Sequence, residues 1–307
     1  MKAIVRTRYG SPDVLKLEEV AKPVPGEGEI LIRVHAASIN ASDVEGLRGK
    51  PLYARIGGPI RPRTKILGSD VAGTVEAVGT GVEMFGPGDE VFGDILYHGS
   101  GAFAEYVRVA DNAPLVIKPP NLTFEQAATL PQAAVIALQG IADRVQRDDR
   151  VLINGAGGGA GTFAVQLAKT AGAVVTGVDN EWKLEHMRSL GADRVIDYRR
   201  EDYTKDLGAY DMILDLAGHR SIFAISRALG PSGRYAVVGG SVAALLQAAT
   251  LGRLLGKKKR LGVLIVRPKK VDLARAAALV GEGTLKPFID RVYPLKQTAE
   301  ALRHVDA

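Results

Sequence analysis

Two regimes of hydrophobic patterning divide the chain. Over the first third, apolar and polar positions alternate with the two-residue period of strands at 2–8, 30–36, 71–78 and 103–109, separated by glycine- and proline-rich breaks such as GPGDEVFG. Alternation sends successive side chains to opposite faces, so this part predicts a β-rich, barrel-like domain. From Thr123 the pattern changes. TFEQAATLPQAAVIALQGIAD reads as helical, and short apolar strands then follow at 151–154, 174–178, 194–197, 212–215 and 235–238, with helices between them and a sixth strand at 262–266. Alternating strands and helices predict a parallel sheet covered on both faces. The segment 115–122, LVIKPPNL, is the expected linker. Helical VDLARAAALVGEG, extended KPFIDRVYPL and helical KQTAEALRHVDA break the alternation and are expected to return to the first domain. The expected domains are therefore 1–122, completed by 267–307, and 123–266. There is no internal repeat or low-complexity tract.

The most specific local signal is VLINGAGGGAGTFAVQLAKTAG, a buried strand, then Gly155, Gly157, Gly158, Gly159, Ala160 and Gly161, then an amphipathic helix. One glycine permits the sharp turn, another lets backbone approach a pyrophosphate, and a third allows helix and strand to pack closely. The helix N-terminus offers free N–H groups and positive dipole to phosphate. In a chain with 36 glycines a single match is equally a plain strand-to-helix turn. Its placement after a strand and before a helix makes it a dinucleotide-binding loop on a doubly wound Rossmann domain. The next strand ends at Asp179, a carboxylate suited to a ribose 2′-hydroxyl and hence to NAD(H). Asn180 is a neutral donor in the same turn, and Lys183 pairs as readily with the 2′-phosphate of NADP(H).

Composition narrows the chemistry. Cysteine is absent, which excludes disulfides, thiolate catalysis and cysteine-ligated metals. The five histidines, His35, His98, His186, His219 and His304, show no ligand spacing, so no metal site is expected. A net charge of +6 is spread along the chain except at Lys257, Lys258, Lys259 and Arg260, and no nucleic-acid motif accompanies it; small anionic ligands are favoured over dedicated nucleic-acid binding. The N-terminus has no signal-peptide core, and no run reaches the ~18 apolar residues of a membrane span, so a cytoplasmic location is expected.

The opening MKAIVRTRYGSPDVLKLEEV, INASDVEGLRG, LGSDVAGTVEAVGTGVEMFGPGDEVFG, the glycine loop, LGADRVIDY and GPSGRYAVVGG occur in an order that resembles the medium-chain dehydrogenase/reductases, specifically the zinc-free quinone oxidoreductase branch that includes zeta-crystallin-like enzymes. The resemblance covers nearly the whole chain. It implies an α/β fold in which a GroES-like β-barrel catalytic domain is joined to a doubly wound Rossmann domain with a parallel sheet, the cleft between them receiving nicotinamide and substrate. A zinc-ligand cysteine of metal-dependent relatives falls at Asn40 and a ligand histidine at Ser69, leaving Asp70 as the matching acidic position. Asn40 and Asp43 match the family's Asn-x-x-Asp, with Asp43 equally readable as a helix cap, and Tyr53 falls in the loop whose tyrosine lines the active cleft. Lys183 matches a lysine that contacts the 2′-phosphate in NADPH-using relatives, which favours NADP(H) over NAD(H). Gly239 and Gly240 fall beside the nicotinamide site. Homodimerisation through edge strands near 263–266 is also implied. Similar proteins continue past the last helix into a glycine–lysine turn and a final strand, whereas this sequence stops at Ala307.

These residues point to hydride transfer from a nicotinamide to a quinone or an activated alkene such as an enone, with Asn40 or Tyr53 as donor to the enone oxygen. A different reading is a non-catalytic NADPH-binding sensor or partner protein with a basic surface. Its candidate feature is the segment 243–260, an apolar helix-like run followed by four cations, which suits weak contact with an anionic membrane, a helix beside the active cleft or an oligomer contact.

Overall fold

Strands form where alternating apolar side chains share one buried face. The computed structural model describes residues 1–56, 58–255 and 258–306. In chain order it opens with β1 (Lys2–Val5), β2 (Lys16–Glu19), β3 (Glu29–Ala36), α1 (Ala41–Arg48), β4 (Asp70–Val78), β5 (Glu90–Asp94), β6 (Tyr106–Ala110), β7 (Leu115–Ile117) and α2 (Phe124–Ala128). β3 to β7 form an antiparallel sheet in the order β6-β3-β4-β5-β7, and β1 and β2 form an antiparallel ribbon. β1 is tied in by bridges from Ala3 to Ala104 and from Val5 to Ile66. Ile30, Ile32, Val71, Val75 and Val107, from the alternating segments of the sequence, form the sheet's core with Val91 of β5.

The predicted linker 115–122 requires correction. Leu115–Ile117 is β7, hydrogen-bonded to β5. The next residue, Lys118, is 6% exposed; its Nζ donates to the carbonyls of Pro119 at 3.1 Å and Leu122 at 2.7 Å and lies 2.9 Å from a Glu90 carboxylate oxygen. A buried ammonium tied to three oxygens anchors the backbone. α2 then packs against β3, β4 and β5, which carries the first unit beyond residue 122. β2 and β5 escaped the sequence pattern because β2 is exposed at every position and β5 is buried at four successive ones.

The second sheet follows α3 (Pro131–Ile141): β8 (Arg150–Asn154), α4 (Gly159–Thr170), β9 (Val174–Asp179), α5 (Leu184–Ser189), β10 (Arg194–Asp197), β11 (Tyr210–Asp215), α6 (Ile222–Ala228), β12 (Leu229–Val237), α7 (Val242–Thr250), α8 (Gly252–Leu255) and β13 (Arg260–Val263). All six strands are parallel, in the order β10-β9-β8-β11-β12-β13. The chain starts in the middle, winds to one edge and then to the other, as in a doubly wound dinucleotide-binding fold. Leu152, Ile153, Val178, Ile213 and Val237 are buried because both faces of the sheet are covered. The predicted helix beginning at Thr123 is two helices, the second entered at Pro131, whose missing N–H suits a first helical turn. The sixth strand lies slightly earlier than predicted, and the segment 243–260 contains α7, α8 and the start of β13.

The chain ends with α9 (Lys270–Gly281) and α10 (Thr298–Asp306); between them the predicted extended stretch forms no strand among the described residues. Leu302 of α10 is buried with Ile4, Leu47, Leu67 and Phe103, and α10 also pairs Arg303 with Asp13 and Asp306 with Arg48. Two units result: 1–132 with 268–281 and 287–307, and 133–267 with 282–286. The division at 132/133, against an expected 122/123, follows from the packing of α2.

Leu302→Ala should destabilise the first unit by about 2–5 kcal/mol, as for other buried leucines. Hydrogen exchange checks this: β1 and α1 amides should exchange faster while β8 is unchanged.

Candidate functional site

In the second unit the site is built from the strand ends outward. β8 delivers the chain to Gly155, whose φ of +85° lies in the left-handed region. Gly155 and Ala156 both donate their N–H to the Val178 carbonyl, at 2.9 and 3.1 Å, and Gly158 donates to Gly155 at 3.1 Å. Gly158 is the extended N-cap of α4, so Gly159, Ala160 and Gly161 form its first turn, where backbone N–H groups lack intrahelical acceptors. A Cβ on Gly161 would lie 2.1 Å from the Gly155 carbonyl oxygen, so only glycine lets helix and loop meet this closely. This is a cradle for a pyrophosphate, with the helix dipole favouring the anion. The fit rests on those N–H groups and on the absence of side chains.

The residues expected to compete over cofactor choice are instead partners. Asp179 ends β9 and is 8% exposed; it accepts the Gly157 N–H at 3.0 Å and the Asn180 N–H at 2.8 Å, and Lys183 Nζ lies 3.2 Å from it. The Lys183 stem lies over Gly157, where a Cβ would come within 2.7 Å of it. One ion pair therefore braces the loop. Asn180 Oδ1 is buried without a hydrogen-bond partner, an open acceptor beside Asp179 that suits a ribose hydroxyl.

At the next strand ends, Gly239 and Gly240 close against Gly218. Gly218 donates to the Gly239 carbonyl and Ser241 to the Gly218 carbonyl, each at 2.8 Å. Gly240 has φ of +126°, and a Cβ there would lie 2.2 Å from the Gly218 oxygen. Sequence reasoning missed Asp215, the buried last residue of β11, which accepts from Asn154 Nδ2 at 2.7 Å, Tyr235 Oη at 2.9 Å and the Ala217 N–H at 3.2 Å. Burial pushes its carboxyl up, against the opposing effect of those donors. An acidic residue closing an apolar strand in ILDLAG was the available signal.

In the first unit the structure brings Asn40 and Asp43 together around a buried acidic cluster. Asn40 caps α1, and its backbone N–H donates to Asp43 Oδ2 at 2.9 Å. Asp43 also accepts from Ser69 Oγ at 3.1 Å, and burial pushes its carboxyl up to about 6. Asn40 Nδ2 donates to Asp70 Oδ2 at 2.9 Å, with longer contacts to Ser38 Oγ and Ser69 Oγ at 3.3 and 3.4 Å. Ser38 Oγ and the Gln132 N–H also donate to Asp70 Oδ2, at 2.9 and 3.3 Å. Asp70 Oδ1 has no hydrogen-bond partner; burial and then the charge of Asp94 hold the Asp70 carboxyl well above its ordinary range. Asp94, opposite Asp70 in the sheet register, is pushed by burial to about 6.

This donor set does not suit zinc, which takes thiolates, imidazoles and ionised carboxylates. Asn40 turns an N–H group, not a lone pair, toward the one carboxyl that matches a ligand position, and the hydroxyls of Ser38 and Ser69 are tied to aspartates. Among the described residues no group of three histidines, aspartates or glutamates is placed to hold a metal ion.

Tyr53 is not brought to this cluster. It lies in the turn Leu52–Arg55 and donates its hydroxyl to Glu45 of α1 at 3.2 Å. Burial, then the Glu45 charge, pushes the phenol up to about 12, so it keeps its proton at neutral pH. Arg48 is engaged with Asp306. The basic run of the alternative reading is also modified: Lys257 lies outside the described residues, and Lys259 Nζ donates to the carbonyls of Ser226 and Leu229, closing the end of α6.

Two outcomes follow. Gly161→Ala should abolish dinucleotide binding, measured calorimetrically. For Asp43, a folded pKa of about 6 above an ordinary 3.8 means that the native state binds more protons across that window. Stability contributed at Asp43 is therefore greatest below the unfolded pKa and is lost as pH rises through the folded one. The stability difference between the parent chain and Asp43→Asn, from denaturant unfolding, should shift against the parent from pH 4 to pH 7.

Comparison with known proteins matches this geometry. A family described as alcohol dehydrogenase GroES-like domain matches residues 26–121, and one described as zinc-binding dehydrogenase matches 190–307. The mitochondrial NAD(P)H oxidoreductase RTN4IP1 of Mus musculus is 33% identical over 100% of this chain and 86% of its own length. The quinone oxidoreductase structure from Coxiella burnetii has a TM-score of 0.88 at 29% identity, covering 100% of this chain and 95% of its own. That of the Escherichia coli quinone oxidoreductase complexed with NADPH has a TM-score of 0.84 at 26% identity, covering 100% and 96%. The chain thus belongs to the medium-chain dehydrogenase/reductase superfamily, in its quinone-oxidoreductase-like branch.

Proposed function

We propose that this chain is a zinc-independent reductase that uses NADPH in preference to NADH and passes a hydride to a quinone or an activated alkene. The observation that carries the reading is the Asp179–Lys183 ion pair lying across the glycine loop. An isolated Asp179 carboxylate would repel a 2′-phosphate; with Lys183 against it the local charge is compensated, and the first-turn N–H groups of α4 remain for the pyrophosphate. Of the relatives named above, the quinone oxidoreductase complexed with NADPH supports the same choice, and the NAD(P)H oxidoreductase supports a nicotinamide cofactor of either kind.

When bound, reduced nicotinamide supplies the hydride. The first turn of α4 holds the pyrophosphate, Gly155 and Gly161 keep that cradle open, and the Gly218–Gly240 closure presents backbone without side chains. A quinone needs little more, since its oxygens accept charge and water provides protons. An enone needs a donor at its oxygen, and the neutral phenol of Tyr53, released from Glu45, has the proton to give. Asn40 takes no metal in this scheme; its amide orders the buried acidic cluster.

Reduced-cofactor oxidation with a simple quinone and a simple enone tests this. NADPH should be preferred, and Lys183→Ala should raise the NADPH KM roughly tenfold, as expected for loss of a charged hydrogen bond, with little change for NADH. Tyr53→Phe should slow enone reduction roughly a hundredfold and leave quinone reduction intact. Dialysis against a chelator should change neither rate. Cofactor binding without turnover of any acceptor would replace this reading with a non-catalytic NADPH-binding protein.

A further inference from the structure

Between Glu45 and Asp70 the chain carries six lysines and arginines and no acidic residue. The same stretch holds three large aliphatic side chains in water: Leu52, Ile56 and Ile60 are 80%, 87% and 86% exposed. Both features lie on one folded turn of the first unit. Leu52–Arg55 is closed by N–H donation from Ile56 to the Tyr53 carbonyl at 3.0 Å and from Gly58 to that of Arg55 at 2.9 Å. A Cβ on Gly58 would lie 2.4 Å from the Arg61 carbonyl oxygen, so the two sides of the turn meet across that glycine.

The base of this turn is anchored. Arg6, 5% exposed, donates Nε to the Thr64 carbonyl at 3.1 Å and Nη1 to the Gly46 carbonyl. Tyr9 donates its hydroxyl to the Gly58 carbonyl at 2.7 Å, and the guanidinium carbons of Arg6 and Arg55 lie 5.5 and 4.9 Å from its ring centroid. Arg55 Nε donates to the Gly49 carbonyl at 2.8 Å. These bonds satisfy donors without neutralising charge. Among the described residues no carboxylate pairs with Lys50, Arg55, Arg61, Arg63 or Lys65; Arg48 pairs with Asp306, and Glu45 accepts the Tyr53 hydroxyl. The backbone is held while the aliphatic side chains have nothing over them.

Aliphatic side chains left in water forgo the stabilisation of burial, and cations gathered without counter-charge repel one another. Both costs are relieved together by a surface that is apolar behind a layer of negative charge, which is the make-up of an anionic bilayer. Protein interfaces centre on aromatic anchors, and single-stranded nucleic acid is held by stacking rings. The one aromatic side chain of this stretch, Tyr53, is turned to Glu45. We propose that the turn is a membrane-contact surface: Leu52, Ile56 and Ile60 enter the boundary between headgroups and acyl chains of an anionic bilayer, and Lys50, Arg61, Arg63 and Lys65 meet the lipid phosphates. Long basic side chains have the reach for this while the aliphatic tips go deeper. Membrane contact here is independent of the reductase activity and of the segment 243–260, whose Lys259 is engaged at the end of α6.

Co-sedimentation of the full chain with vesicles tests this. Vesicles of phosphatidylcholine mixed with phosphatidylglycerol should bind it at least about tenfold more tightly than phosphatidylcholine alone, and added salt should weaken that binding. Arg61→Gln/Arg63→Gln and Ile56→Ser/Ile60→Ser should each lower the affinity about tenfold with circular dichroism unchanged, since all four side chains are exposed. Because the chain has no cysteine, Ile60→Cys accepts a single environment-sensitive fluorophore, whose emission should move to the blue on the anionic vesicles. Equal affinity for neutral and anionic vesicles, binding to neither, or full binding by both double variants would overturn the assignment. So would a fluorophore that responds to soluble polyglutamate and not to vesicles, which would give the surface to an acidic protein instead.

Discussion

The close approach of α4 to the loop before it is the constraint on which the nucleotide unit depends. With Gly161 set against the Gly155 carbonyl, the first turn of the helix points its N–H groups into open space, and the loop has nowhere to relax except against β9. Asp179 meets it there, accepting the Gly157 N–H and drawing the Lys183 ammonium over the same glycine. The glycines give the loop its shape, and the aspartate holds it. A carboxylate expected to read a ribose hydroxyl has thus become part of the loop's own framework, and the cation beside it belongs to that framework as much as to any phosphate.

The first unit meets a different constraint. Three carboxyls, Asp43, Asp70 and Asp94, are withdrawn from water, and each is pushed toward its protonated form. A metal ion would relieve such a cluster by charge. Here hydrogen bonds from Asn40, Ser38, Ser69 and backbone N–H groups offset part of the burial. The amide at Asn40 and the hydroxyl at Ser69 tie these carboxyls into one polar network, with Asp70 Oδ1 left without a partner.

Much of this was legible in sequence. The period-two alternation located β3, β4 and β6, and the strand–glycine–helix order located β8 and α4 with their cofactor loop, because both signals are local and strongly periodic. The parallel sense of the second sheet followed from alternation of β and α units. What stayed hidden depends on long-range partners: β7 was read as part of a linker because Pro119 and Pro120, just after it, suggest a break, while the buried Lys118 that anchors it resembles any surface lysine. Tyr53 was read by resemblance as lining the active cleft, while its hydrogen-bond partner Glu45 is set by the turn it occupies. Asp179 and Lys183 were read as opposing preferences because side chains one helical turn apart reveal their contact only when the loop between them is folded.

The packing of Leu302 against Ile4, Leu47, Leu67 and Phe103 orders events in time as well as in space. The nucleotide unit is encoded almost continuously, so it has most of its strands as soon as residue 263 is made. The first unit, although it is synthesised first, lacks a buried contributor to its core until the ribosome has reached residue 302. The N-terminal strands must therefore wait, incompletely covered, while the later unit assembles, and the order of synthesis is the reverse of the order of completion.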